Sequence, residues 1–405
     1  MKIIASFGLA LAVCCALLYW LRPVAVRMGL VDEPATRKPH QGSVPLLGGV
    51  AMFCGFALGA LTLDVGLTAY RSFFAASAIL VVVGILDDLH ELSSRARFGA
   101  QILASALMAY WGGVVLYDLG ALGSAQGTFL LASWAIVFTV FATVGVINAL
   151  NMSDGVDGLA GGLSLIALLG MAYVANDVGL HTERALLLML AVVVCGFLIF
   201  NMRMPWQHRA LVFMGDAGSM FLGFAITWFF IAMSQGEGRA MAPVTALWLL
   251  MIPLFDTVWL IVWRFSQGRS PTSSDVGHLH HVLQMTGMGA AASVWLMLAI
   301  AALGAVAGLA ALENGVAEST QFYAFLGLFA GYCVLMAVSW RKRKLLWWPI
   351  ERRLIGHDDR RRRTVQSAGE RRHLPERRKE GDSEKGDRSI FPGVPPKEVR
   401  ENRGK

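Results

Sequence analysis

Eleven apolar runs, most of them near twenty residues, punctuate the first 340 residues of this 405-residue chain. A segment of that length crosses a bilayer as a helix, because lipid offers no partner to exposed backbone N–H and C=O groups. The runs cover roughly 3–21, 45–63, 72–86, 98–117, 128–147, 159–175, 185–201, 218–235, 243–263, 289–312 and 321–340. The expected fold is all-α: a polytopic integral membrane protein with about eleven transmembrane helices. A hydrophobic fraction of 56% beside 16% charged residues excludes a soluble globular domain and general disorder alike. The first run follows Lys2 as a signal peptide would, but it is long and no small-x-small site follows before Arg22. It reads as an uncleaved anchor. Five cysteines lie inside apolar runs without metal or redox spacing and read as small buried hydrophobes.

Charge gives the chain a direction. With the N-terminus outside, loops 22–44, 87–97, 148–158, 202–217 and 264–288 face inward and hold ten Lys/Arg, while the outside loops hold Arg71, Arg184 and Arg239. Positive-inside bias favours that orientation, and eleven crossings then place the C-terminus in the cytoplasm. The formal net charge of +7 is a tail effect, +10 over residues 341–405 and −3 over 1–340. The expected organisation is a membrane domain over 1–340 and a basic, disordered cytoplasmic tail over 341–405. Anionic membrane lipid, not nucleic acid, is the partner that such a tail suits.

Unusual polar residues gather at the inward ends of the runs. Asp87 and Asp88 end the third, and adjacent carboxylates there are either a solvated helix cap or a divalent-metal or general-base site. Asn148, Asn151, Asp154 and Asp157, with Gly155 and Gly158, crowd eleven residues between two runs, far more than a turn needs. Gly215, Asp216 and Ser219 open the eighth run, as an ordinary capped helix start or an anion-binding one. Asp256 stands among apolar residues in the ninth and needs a partner, Arg264 or a metal. His278, His280 and His281 follow in a loop that suits pyrophosphate or a metal, and no cysteine stands near for structural zinc. The 33–49 loop carries Arg37, Lys38, His40 and a glycine pair, fitting either phosphate binding or positive-inside anchoring.

Taken together, these motifs resemble the polyprenyl-phosphate N-acetylhexosamine-1-phosphate transferases, and most closely the bacterial undecaprenyl-phosphate N-acetylglucosaminyl branch. The resemblance covers about residues 30–290 and rests on five elements in order: Lys38 to Gly49, Asp87–Asp88, Asn148 to Leu159, Phe213 to Ser219 and His278 to His281. Two departures stand out. The lysine that usually follows the paired acids is replaced by Arg95, and Val276 stands where relatives often carry arginine.

The resemblance implies transfer of N-acetylglucosamine 1-phosphate from UDP-N-acetylglucosamine, or another UDP-N-acetylhexosamine, to undecaprenyl phosphate. UMP is released, and O-antigen or related cell-surface polysaccharide synthesis begins at the cytoplasmic face of the bacterial inner membrane. It implies Mg²⁺, with Mn²⁺ as an alternative, held by Asp88 and Asp256. Asp87 and Asp154 complete the catalytic set. Lys38, Asn148, Asn151, Asp157, Asp216, Arg264, His278, His280 and His281 are the implied substrate-binding residues. A homodimer is compatible with the sequence. A transporter or flippase is the rival, since intramembrane acids also mark transport, but the acids lie at run ends and no inverted repeat is visible.

Overall fold

The computed structural model describes residues 2–32, 43–123, 127–268 and 277–346, with side chains as far as Arg341. Lys38, Val276 and the basic tail beyond 346 lie outside the described residues. The helices are α1 (Lys2–Trp20), α2 (Arg22–Met28), α3 (Gly48–Leu61), α4 (Arg71–His90), α5 (Ser94–Ala106), α6 (Ala135–Ser153), α7 (Leu159–Asp177), α8 (His181–Asn201), α9 (Gly215–Ser234), α10 (Pro243–Leu249), α11 (Met251–Ser266), α12 (Leu279–Met285), α13 (Ala290–Glu313) and α14 (Glu318–Leu346). Two-residue strands β1 (Val31–Asp32) and β2 (Val44–Pro45) pair antiparallel.

Each of the eleven apolar runs contains helix, and the protein is an all-α polytopic membrane protein. Eight helices among the described residues are long and apolar enough to cross a membrane, or nine with the bent pair α10–α11. The other two runs fall short of the expected length. Helix α3 has 14 residues, about 21 Å at 1.5 Å per residue. Helix α5 has 13 and passes into a π-helical turn, Leu107–Trp111, that stops before Gly112–Gly113. The third run goes the other way: a 3-10 turn at Leu67–Tyr70 lengthens α4, which continues through the acidic pair to His90. Helices α10 and α11 meet at 84°. Pro253 has no N–H for the carbonyl four residues before it, so the ladder breaks at Leu250.

Helix α9 is the axis of the larger core. It is apolar on all sides after its first turn, and 18 of its 20 residues are buried. A helix without a polar face has to be enclosed, and α3, α4, α6 and α7 enclose it. Small residues permit the contact that lipid cannot drive. A Cβ on Gly84 of α4 would stand 2.3 Å from the Ala217 Cα of α9. The segment before α9 is stitched to the start of α3, with Phe213 N–H donating to the Pro45 carbonyl at 2.9 Å and Gly48 N–H to that of Phe213 at 3.0 Å. The C-terminal end of α4 and the N-terminal ends of α3 and α9 therefore meet. A second apolar cluster unites α10–α14 through Trp248, Phe255, Phe325 and Tyr332.

Candidate active site

Helix α4 ends at Glu91, in left-handed conformation (φ 48°), whose N–H donates to the Asp87 carbonyl at 2.8 Å. Ser93 then caps α5 by accepting from Ala96 N–H at 3.3 Å. This tight turn folds Arg97, in the first turn of α5, back over the acids. One guanidinium nitrogen, Nη1, donates to Asp87 Oδ2 at 3.0 Å and to Asp216 Oδ2 at 3.2 Å. Arg95 points to solvent. Of the two arginines that follow the acids, Arg97 is the one that bridges them.

Asp88 caps α9 from a different helix. Its Oδ1 accepts from Asp216 N–H at 3.0 Å, where the aligned peptide dipoles favour an anion. Gly215 makes this possible: its φ is +71°, and a Cβ there would sit 2.5 Å from Asp88 Oδ2. That second oxygen is buried and has no hydrogen-bond partner. Asp216 is held on its other side by Asn151, which donates to Asp216 Oδ1 and, at 2.9 Å, to Ser219 Oγ. Asn148, one turn earlier, donates to Gln101 Oε1 at 2.7 Å. Asp87, Asp88, Asn148, Asn151 and Asp216, spread over 130 residues of sequence, thus occupy one level of the bundle through α4, α5, α6 and α9.

Asp154 terminates α6, its N–H donating to the Asn151 carbonyl at 3.1 Å. Asp157 turns away from the carboxylate cluster: Arg203 Nε donates to its Oδ2 at 2.7 Å and Ala210 N–H at 3.3 Å. Asn201, buried at the end of α8, accepts from Gly158 N–H at 2.7 Å and donates to the Val212 carbonyl at 2.9 Å. The 154–158 loop is therefore pinned to the strand-like approach to α9.

Asp256 belongs to a second group. His278 Nδ1 donates to its Oδ2 at 2.8 Å, while Leu279 N–H and the Tyr332 hydroxyl both donate to its Oδ1 at 2.9 Å. Arg264 lies buried two turns further along α11. His278 stacks on His280 with ring centroids 5.3 Å apart, and His281 follows at 4.1 Å from His280. Burial pushes the His280 imidazole down to about 3, and the neighbouring His281 and His278 add to the effect. His280 Cε1 lies against Gly155, 3.5 Å from where a Cβ would stand, so the histidine loop abuts the loop that follows α6.

Sequence reasoning did not separate Arg97 from Arg95 as the bridging cation, and missed Gln101, Asn201, Arg203 and Tyr332 as parts of the site. Serine at 93 was the available signal for Arg97, because a cap there fixes which face of α5 meets α4. Tyr332 carries no local signal, being one aromatic within an apolar run.

Among the described residues, no three His, Cys, Asp or Glu side chains form a ready metal cage. The carboxylate cluster nonetheless fits Mg²⁺, which binds through one or two carboxylates and completes its shell with water and substrate phosphate. The bare buried oxygen of Asp88 is the donor such an ion requires. Asp256 fits less well, because both of its oxygens already accept hydrogen bonds.

The glycosyl transferase family 4 pattern matches residues 70–234, which run from the start of α4 to the end of α9. Three similar proteins each bear the name undecaprenyl-phosphate alpha-N-acetylglucosaminyl 1-phosphate transferase. The one from Yersinia pestis is 34% identical over 335 residues, covering 82% of this chain and 90% of the relative. That from Escherichia coli strain K12 is 33% identical over 330 residues, covering 79% and 88%. That from Haemophilus influenzae is 37% identical over 322 residues, covering 79% and 90%. Likeness at this level over most of both chains, with the matched segment carrying the carboxylate cluster, means that this chain belongs to glycosyl transferase family 4.

Proposed function

We propose that this protein transfers N-acetylglucosamine 1-phosphate from UDP-N-acetylglucosamine to undecaprenyl phosphate, leaving UMP and a lipid-linked pyrophosphoryl sugar. The observation that carries this reading is the convergence of Asp87, Asp88 and Asp216 on Arg97 and the start of α9, with one buried Asp88 oxygen unpaired. An oxygen of the lipid phosphate attacks the phosphorus that bears the sugar. The bond from that phosphorus to the bridging oxygen breaks, and the bridging oxygen leaves with UMP. Donor and acceptor are both anionic, so positioning and charge compensation supply most of the acceleration.

The residues divide the work. Asp88 would hold Mg²⁺, or Mn²⁺ in its place, through its unpaired oxygen, with Asp216 beside it, and the ion would offset the charge of the converging phosphates. Asp87, fixed by Arg97, orients the lipid phosphate and takes its proton. Asn148, Asn151 and Asp154 line the donor side at the end of α6. Asp157 and Arg203 hold the adjoining loop in shape for the nucleotide. Asp256 acts through His278, which presents Nε2 to the pyrophosphate together with His280, His281, Arg264 and Lys38.

The proposed topology has eleven crossings, with short α3 and α5 counted among them, the N-terminus outside and the C-terminus inside. The site then faces the cytoplasm at the inner membrane, and residues 341–405 form a basic cytoplasmic tail separate from the catalytic unit. The product would enter O-antigen or a related surface polysaccharide. The test is direct. Purified protein with Mg²⁺, undecaprenyl phosphate and a panel of UDP-N-acetylhexosamines should release UMP and label the lipid fastest with UDP-N-acetylglucosamine. Release of UMP with no member of the panel defeats the proposal, and a faster rate with another sugar corrects the donor.

A further inference from the structure

Helix α14 lies beyond the last of the five motifs, yet one of its side chains reaches the second polar group. Tyr332 is buried with 9% exposure, and its hydroxyl donates to Asp256 Oδ1 at 2.9 Å. The same oxygen accepts from Leu279 N–H at 2.9 Å, while Oδ2 accepts from His278 Nδ1 at 2.8 Å. A carboxylate held at three points cannot rotate. Without Tyr332, Oδ1 keeps only the Leu279 N–H, and the carboxylate is held at two points, one on each oxygen, which loosens its plane. The ring around the hydroxyl is fixed as well, since Phe255 packs on Tyr332 at 5.6 Å between centroids and on Phe325 at 4.9 Å.

The consequence falls on His278. A carboxylate accepts only, so Nδ1 carries the hydrogen and Nε2 is the nitrogen turned to other partners. Whichever way Asp256 faces, the imidazole plane follows. His278 in turn stacks at 17° on His280, so its orientation sets the whole histidine row.

We infer that Tyr332 is a positioning residue for the transfer reaction: its hydroxyl fixes Asp256, Asp256 fixes His278, and His278 Nε2 meets the pyrophosphate of the donor. The inference rests on the functional reading above. It goes further by extending the site to α14.

A double-mutant cycle on the full-length enzyme tests it. Tyr332→Phe keeps the ring and its packing and removes only the hydroxyl. Its kcat should fall about five- to twentyfold, with KM for UDP-N-acetylglucosamine changed less than twofold and the melting temperature close to wild type. In a His278→Gln background, the same substitution should cost less than twofold, because the residue it orients is gone. Three results overturn the inference: an unchanged kcat in Tyr332→Phe, a loss confined to KM, or an equal loss in the two backgrounds. Tyr332→Ala distinguishes packing from orientation, because loss of packing lowers the melting temperature as well. If the wild type itself releases no UMP, the functional reading fails and this inference with it. A working wild type beside an unaffected Tyr332→Phe defeats the inference alone.

Discussion

Arg95 and Arg97 stand two residues apart on α5, and a helix turns about 200° over two residues. Only Arg97 can therefore face the acids. Removing it leaves Asp87 and Asp216 side by side without their shared cation, so Arg97→Ala should lower turnover about 10- to 100-fold, the worth of a charge-assisted hydrogen bond or two. Arg95→Ala should stay within about twofold. UMP release by both variants checks the assignment, and equal losses would count against it. Asp88→Asn keeps an acceptor for Asp216 N–H but gives up the anionic oxygen. Turnover should drop about a hundredfold or more while the melting temperature holds. His280 supplies a pH test of the fold. Unfolded, its imidazole titrates near 6.5; buried, it does so at about 3. Between those values the unfolded chain binds a proton that the folded chain refuses, so stability is full above pH 6.5 and falls as pH drops. The loss is at most about 1.4 kcal/mol per unit. Melting temperatures from pH 7.5 to 5 should decline in the wild type and decline less in His280→Leu. At this scale the sequence revealed which residue types matter and concealed who meets whom. Asp88 and Asp216 are separated by 128 positions, and nothing local distinguishes Arg264 from His278 as the partner of Asp256.

Helix ends, not helix middles, make the carboxylate cluster. The C-terminal end of α4 brings the acids, the N-terminal end of α9 brings backbone donors, and the end of α6 brings two amides. What holds these ends at one level is the near contact of α4 with α9. Gly84→Ala would drive a Cβ to 2.3 Å from the Ala217 Cα, so one backbone has to move. The expected outcome is destabilisation of about 1–3 kcal/mol, read as a lower melting temperature in detergent, together with reduced turnover as Asp88 leaves the start of α9. A similar drop in Gly223→Ala, where the added Cβ meets the Ile147 Cα of α6 at 2.6 Å, would show that the α6 contact is as critical. Unchanged melting and turnover in Gly84→Ala would mean that α4 does not position Asp88. The apolar runs made these helices legible, and the clustering of polar residues at run ends was legible too. Their lengths were less so, because Pro253 and the Gly112–Gly113 pair cut runs that hydropathy alone reads as continuous.

Across the whole molecule, helix number and charge asymmetry have to agree on sides. Among the described residues, eight or nine helices are long enough to cross alone, and α3 and α5 are short. Counting both as crossings gives eleven and sends the two termini to opposite faces; counting only one of them gives ten and places the termini together. The carboxylate cluster supports the proposed eleven. Helices α4 and α9 meet end to start at the same level, and so do α4 and α5 across the 91–93 turn. Helix α5 therefore leaves that level toward the opposite side, and α6, whose final turn returns to Asp216, must begin there. Helix α3 likewise starts beside α9, at the cluster, and the 3-10 turn before α4 begins at the far side. On the proposed topology both short helices count as crossings in this path. The proposed topology puts the basic tail inside, as its +10 favours, and a fluorescent protein fused after Lys405 should then fold and fluoresce in the cytoplasm. A single cysteine replacing Gly66, between α3 and α4, should react with a membrane-impermeant thiol reagent added to spheroplasts in a background with the five native cysteines replaced. A cysteine replacing Ser93, beside Asp87, should react only after permeabilisation. If both label equally in intact spheroplasts, α4 does not separate the two sides and the eleven-crossing topology fails.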